Sequence, residues 1–202
     1  METKIFEDFE IEEGKVKAML SAPHAFIHLR DGNIKYAETN TDKIARELAD
    51  ELGCYAIYKT YSSDNDANWD EESLYRDECL KTVKRSKIKL LIDIHGMSSE
   101  REEDICIGTY DGELINQDME LANKIIESFK EEGFNYVSLN KPFNCGRKTC
   151  VANYIHAGAG IVTFQVEING KYRFEDSPEC KLDEIKKALK KIINYYLKSE
   201  KK

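Results

Sequence analysis

Proline is scarce in this sequence, three residues in 202, and tryptophan occurs once. No proline-rich linker or internal repeat divides the chain, so a single domain over residues 1–202 is expected. No apolar run approaches the length of a membrane span. The first residues, Met1 to Glu13, lack both the basic start and the apolar stretch of a secretory signal, and a cytoplasmic protein without a membrane partner is expected. Basic charge is in the minority. Against 38 Asp and Glu stand 30 Lys and Arg, a formal net charge of -8 whose field opposes a phosphate backbone, so nucleic acid is not an expected partner. The six cysteines contain no CxxC pair, which argues against both a disulfide framework and a thiolate zinc finger. Most of the six are expected to be reduced, half-buried thiols. Cys145 and Cys150 stand close enough for a metal or redox role, but no second pair completes a tetrahedral site.

What is present is a balanced globular composition, 41% hydrophobic and 34% charged, whose apolar pattern alternates between short strand-like runs and longer helical ones. The reading is an α/β protein of three layers, α/β/α, with a central mixed, mostly parallel sheet. Val16 to Leu20 reads as a strand that delivers Ser21-Ala22-Pro23-His24, with Pro23 keeping Ala22 extended. Ile44, Ala45, Leu48 and Leu52 form one stripe of a helix from Thr41, stopped by Gly53. Strands are expected at Cys54 to Tyr61, at Lys89 to Ile94, more weakly near Ile105, at Phe134 to Leu139 and at Ile161 to Ile168. Helices are expected to end near Arg85, to run from about Gln117 to Glu132, and to carry Leu182, Ile185, Leu189, Ile193 and Tyr196 at the C-terminus.

Two of the four histidines, His24 and His95, fall just past or at strand ends, where open α/β sheets gather their ligands. Catalytic zinc takes three protein ligands from His and carboxylate and keeps a fourth position open, so two imidazoles would need one acid. Glu38, immediately before the helix at Thr41, is a candidate, although a first-turn charge favourable to the helix dipole explains it equally. Glu167 sits on the polar face of an alternating strand, opposite Phe164, Val166 and Ile168, and a carboxylate there needs a cation or proton beside it. Asp93, two residues before His95, shares its face and could orient the ring or cap a loop.

The segments Ser21-Ala22-Pro23-His24, Glu38-Thr39-Asn40-Thr41-Asp42, Asp93-Ile94-His95-Gly96 and Val166-Glu167-Ile168-Asn169 resemble the ordered landmarks of the N-formylglutamate amidohydrolase family. They are also similar to those of the related phage-type poly-γ-glutamate hydrolases, and both groups share a fold with the zinc carboxypeptidases. The resemblance spans roughly Ser21 to Arg173. It implies one Zn²⁺ per chain held by His24, Glu38 and His95, with Glu167 as general base toward water activated by the metal. It further implies a small amide or short peptide substrate bearing a carboxylate. Zinc suits two imidazoles and one carboxylate better than iron or manganese does.

Asn68 stands where this family has an Asn-Arg pair that contacts substrate, with Trp69 in place of the arginine. Arg76, Arg147 and Arg173 are then the candidates for gripping the substrate carboxylate, since a guanidinium fork binds it bidentately. A surface ion pair is the alternative for any one of them. His156 either lines the pocket and protonates the leaving amine or closes a helix C-terminus, and His28 is expected in a loop near His24. The expected activity is hydrolysis of an N-formyl, γ-glutamyl or acyl-amino acid amide. The alternatives are a zinc exopeptidase or poly-γ-glutamate-type hydrolase and, from another class, a non-catalytic protein that binds small carboxylates on the same fold.

Overall fold

The computed structural model describes residues 2–200. In chain order, β1 (Glu2–Ile5) and β2 (Phe9–Glu13) form a hairpin, and β3 (Ala18–Ala22) leads into a second, short hairpin of β4 (His28–Arg30) and β5 (Asn33–Lys35). Then come α1 (Thr41–Leu52), β6 (Tyr55–Lys59), α2 (Leu74–Ser86), β7 (Leu90–Met97) and β8 (Ile105–Gly108). A 3-10 turn (Glu113–Ile115), α3 (Met119–Glu131), β9 (Val137–Leu139), α4 (Val151–Ala159), β10 (Val162–Asn169), the single turn α5 (Gly170–Arg173) and α6 (Leu182–Ser199) complete the chain.

Eight strands form one sheet in the order β1-β2-β6-β3-β7-β10-β8-β9. Its centre, β6-β3-β7-β10, is parallel, while β2 against β6 and β8 against β10 are antiparallel. The period of two along each central strand sends alternate side chains to opposite faces. Leu20, Ile92, Ile94, Phe164 and Val166 pack with the apolar stripes of α1, α3 and α6, and Met19, Ile57 and Leu91 pack with α2 and α4. This is the three-layer α/β/α arrangement with a mixed, mostly parallel sheet. Local chemistry sets the helix ends. Gly53 at φ 68° returns its N–H to Ala49 and Asp50 at the end of α1, and the Asp118 carboxylate accepts the Leu121 N–H at the start of α3. Among the described residues no helix is long and apolar enough to cross a membrane.

Two strand pairs lie outside the sequence reading. In β2 the buried Phe9 and Ile11 alternate with the more exposed Glu10 and Glu12, a half-buried edge hidden in an acidic stretch. The β4–β5 hairpin is three residues deep on each side and leaves Ile34 and Tyr36 exposed, so it has no apolar face to announce it.

Candidate active site

The carboxyl ends of β3, β7 and β10 converge on one cleft of about 330 Å³. His24 leaves β3 two residues after its end. His95 lies on β7 with Glu167 as its register partner on β10, both on the polar face opposite the Ile94 and Val166 core. Glu38 arrives from the segment before α1. Its N–H donates to the His24 carbonyl at 2.9 Å and its Oε2 accepts the Gly96 N–H at 2.9 Å, so backbone bonds fix it between the two histidines. One ligating atom from each of His24, Glu38 and His95 lies within 4.8 Å of the others.

Each ring is oriented from behind by a buried carboxylate. His24 Nε2 donates to Asp66 Oδ1 at 2.8 Å and His95 Nε2 donates to Asp93 Oδ2 at 3.0 Å, which turns both Nδ1 atoms toward Glu38, 3.2 and 3.1 Å away. Burial opposes the charged form of Glu38, but the two imidazoles outweigh it and hold the carboxyl well below its usual range. Burial likewise opposes protonation of the rings, yet Glu38 and Asp66 push His24 up, and Asp93 and Glu38 push His95 far up. The group thus wants two positive charges between the Nδ1 atoms and Glu38. One divalent cation would replace those two protons, and the donor set of two imidazoles and one carboxylate, each ring backed by an acid, fits such a metal.

A second cluster of His24, His28 and Asp66 is also close. Here the His28 ring stacks on His24 with centroids 4.2 Å apart, and Arg30 Nε donates to Asp66 Oδ2 at 2.6 Å, so Asp66 already has its cation and serves to orient the rings.

Glu167 is 7% exposed at the floor of the cleft. Burial, helped by the Glu38 charge and opposed by His95, His24 and Arg173, pushes its carboxyl up to about 7. Its Oε1 accepts the Gln165 amide at 2.8 Å, and the Cys150 sulfur lies 3.3 Å from Gln165 Oε1. Asn68 also lines the cleft. Its Oδ1 accepts the Val151 N–H at 2.9 Å, which turns its amide nitrogen toward the site, 3.0 Å from His95 Nε2.

The candidate arginines separate. Arg76 is buried and gives its guanidinium to the carbonyls of Ala67, Thr149, Asp70 and Glu71, and Arg173 is buried against those of Ile168, Thr39 and Met97. Both position loops around the cleft. Arg147 lines the cleft itself, its guanidinium carbon 3.5 Å from the Trp69 ring centroid. His156 sits in the last turn of α4 with Nδ1 2.8 Å from the Ile161 carbonyl, outside the cleft lining. Four of the six cysteines are free thiols, as expected of most of them, and two are not. Cys145 and Cys150, with Cα atoms 5.8 Å apart, are joined by a disulfide, because the left-handed turn at Cys145 (φ 58°) folds the loop back onto the start of α4. Asp66, Arg30 and Gln165 escaped the sequence reading. Nothing distinguishes Asp66 from Asp64 and Asp70 along the chain, whereas Gln165 shares the alternating face that singled out Glu167.

A model of the family described as poly-gamma-glutamate hydrolase matches residues 3–198. The chain belongs to the poly-gamma-glutamate hydrolase family. Membership makes it an amide- or peptide-bond hydrolase, in line with the resemblance carried by its four motifs. The hydrolase is similar to a solved bacteriophage poly-gamma-glutamate hydrolase, with 16% identity over 96% of this chain and 92% of that one and a TM-score of 0.62. It is similar also to N-formylglutamate amidohydrolase from Ralstonia eutropha JMP134, with 13% identity over 96% and 100% of the two chains and a TM-score of 0.66. A metallo-carboxypeptidase from Burkholderia cenocepacia shares 12% identity over 95% of this chain and 61% of its own, with a TM-score of 0.58. At these identities the likenesses speak for the fold. No curated protein sequence matches the hydrolase.

Proposed function

We propose that this family member is a zinc-dependent amidohydrolase that cleaves γ-glutamyl amide bonds in a small, carboxylate-bearing substrate, with Glu167 as general base. One observation carries the reading: His24, Glu38 and His95 meet within 4.8 Å beside a buried carboxyl held near neutral pH in the same cleft. A zinc ion held by these three residues would polarise the scissile carbonyl and lower the pKa of water from about 15.7 toward about 7.

The chain's own groups do the rest. Glu167 takes the proton of the attacking water, and a base of pKa near the working pH is the efficient one for that transfer. Gln165 occupies Oε1 of Glu167 and leaves the other oxygen to the proton. The same carboxyl then returns the proton to the departing amine. Asn68, its amide held by the Val151 N–H, donates toward the oxygen on which charge develops. Asp66 and Asp93 hold the ring tautomers that expose Nδ1.

The test is Glu167→Gln. The variant should keep one zinc per chain by metal analysis and lose about 10²–10⁴-fold in kcat on γ-glutamyl-glutamate. Full activity in that variant would remove Glu167 from the mechanism. A panel of γ-glutamyl-glutamate, N-formylglutamate and plain dipeptides assigns the substrate class, and turnover confined to plain dipeptides would overturn the γ-glutamyl reading.

A further inference from the structure

Two arginines line the cleft, and they are not equivalent. Arg30 has its Nε committed to Asp66. Arg147 is exposed and, among the described residues, has no carboxylate or carbonyl partner, yet it does not sweep through solvent: its guanidinium sits 3.5 Å over Trp69. A guanidinium against an aromatic face keeps its N–H donors at its edge, free to meet a carboxylate as a fork. The loop that presents it is short and tied at both ends. The disulfide joins Cys145 to Cys150 on either side of Arg147, the Cys145 carbonyl accepts the Asn153 amide, and Gly146 packs so tightly that a Cβ there would lie 2.8 Å from the Tyr110 ring. Both cysteines line the cleft.

We infer that Arg147, held over Trp69 by the Cys145–Cys150 disulfide, binds a substrate carboxylate, so that the redox state of this one bond sets substrate selectivity; the inference rests on the γ-glutamyl reading above. A dithiol reductant delivers two electrons and two protons, breaks the S–S bond and leaves two thiols while itself becoming a cyclic disulfide. The loop loses its covalent tie, and the new Cys150 S–H can donate to Gln165 Oε1, which a disulfide sulfur cannot. Arg147 is thus a specificity residue and the disulfide a positioning element.

The experiment uses the zinc-loaded full chain and two substrates, γ-glutamyl-glutamate and the same compound with its α-carboxylates amidated. The readout is the ratio of their kcat/KM values. Arg147→Ala should lower the preference for the free carboxylates at least tenfold, with Arg147→Lys restoring part of it. Reduction by dithiothreitol, and the double variant Cys145→Ser/Cys150→Ser, should each lower it about three- to tenfold through KM, and reoxidation should restore the native protein. Thiol titration in denaturant should count four thiols before reduction, matching the four free cysteines, and six after. An unchanged ratio in Arg147→Ala overturns the clamp. An unchanged ratio on reduction, or six thiols at the outset, overturns the role of the disulfide. If no γ-glutamyl amide is turned over, the γ-glutamyl reading fails by itself. Calorimetric binding of glutarate, which has no amide to cleave, then decides the clamp: affinity at least tenfold weaker in Arg147→Ala supports it, and equal affinity overturns it.

Discussion

Replacing Gly96 by alanine should damage both stability and metal binding, although the change adds one methyl group. A Cβ at this position would lie 2.2 Å from the Arg173 guanidinium carbon, more than an ångström short of ordinary contact. Arg173 cannot swing away. It is 3% exposed, and its nitrogens donate to Ile168 at 3.0 Å, Thr39 at 2.6 Å and Met97 at 3.4 Å. Hydrogen bonds from a charged donor contribute about 1.5–3 kcal/mol each, and overpacking alone costs about 1–3 kcal/mol. With partial relaxation the loss should be roughly 3–5 kcal/mol, measured by urea unfolding of the metal-free protein. Since Gly96 N–H and the Thr39 carbonyl flank Glu38, zinc affinity should fall about 10–100-fold in a chelator competition. The double variant Gly96→Ala/Arg173→Ala provides the decisive control. Once Arg173 is gone the methyl has space, so the pair should lie within about 1 kcal/mol of Arg173→Ala alone, a coupling of roughly 2–4 kcal/mol. Additive losses, or a Gly96→Ala protein within about 1 kcal/mol of the native one, would refute the reasoning.

Asp66→Asn should leave the fold intact and weaken zinc binding about 10–100-fold, because His24 loses the carboxylate that fixes its tautomer; equal affinity by competition titration would count against that role. Zinc affinity should rise with pH, because both histidines hold protons above their ordinary range in the metal-free protein and must release them on binding. The slope of log K against pH should approach about two while both rings are protonated and flatten above, and a flat profile would contradict the charge-replacement argument. Asp104 offers a stability test away from the metal. Burial works against its charge, but the N–H groups of Asn135 and Tyr136, the Tyr172 hydroxyl and Lys171 outweigh burial and lower its carboxyl. A depressed carboxylate stabilises the fold above its unfolded pKa, about 3.9, and that contribution disappears as pH falls through the folded value. Asp104→Asn should therefore cost about 2 kcal/mol at pH 7, and in urea unfolding the gap to the native protein should narrow only as pH falls below about 4, closing beneath the lowered folded pKa.

The elements legible in the sequence are those whose burial is one-sided or complete. Leu90 to Ile94 and the stripe of α6 carry enough apolar period to identify themselves, and the polar alternation on β10 sets Glu167 apart from its apolar neighbours. Position at strand ends made His24 and His95 candidate ligands, but the full set with Glu38 rested on the resemblance of four short motifs, since a charge before α1 suits the helix dipole equally. The acid behind His24 was not legible. Asp66 is one acid in a loop with several, and only the fold, by bringing residues 42 apart into contact, sets it behind His24. The arginines show the same limit. Arg76 is among the largest fully buried side chains, spent on four carbonyls, because a helix face and a distant loop close over it. A count of charges cannot reveal which guanidinium the packing will engulf and which, like Arg147, it will leave at the cleft.

The bond from the Glu38 N–H to the His24 carbonyl closes residues 25–37 into a loop with both feet tied. The separation of the two candidate ligands along the chain is consequently not a geometric quantity at all. The turn at Asp31 and Gly32 could be lengthened or trimmed while the imidazole and the carboxylate kept their places, since neither takes its position from the hairpin tip. Any search for this constellation by counting residues between His24 and Glu38 measures the excursion instead of the junction.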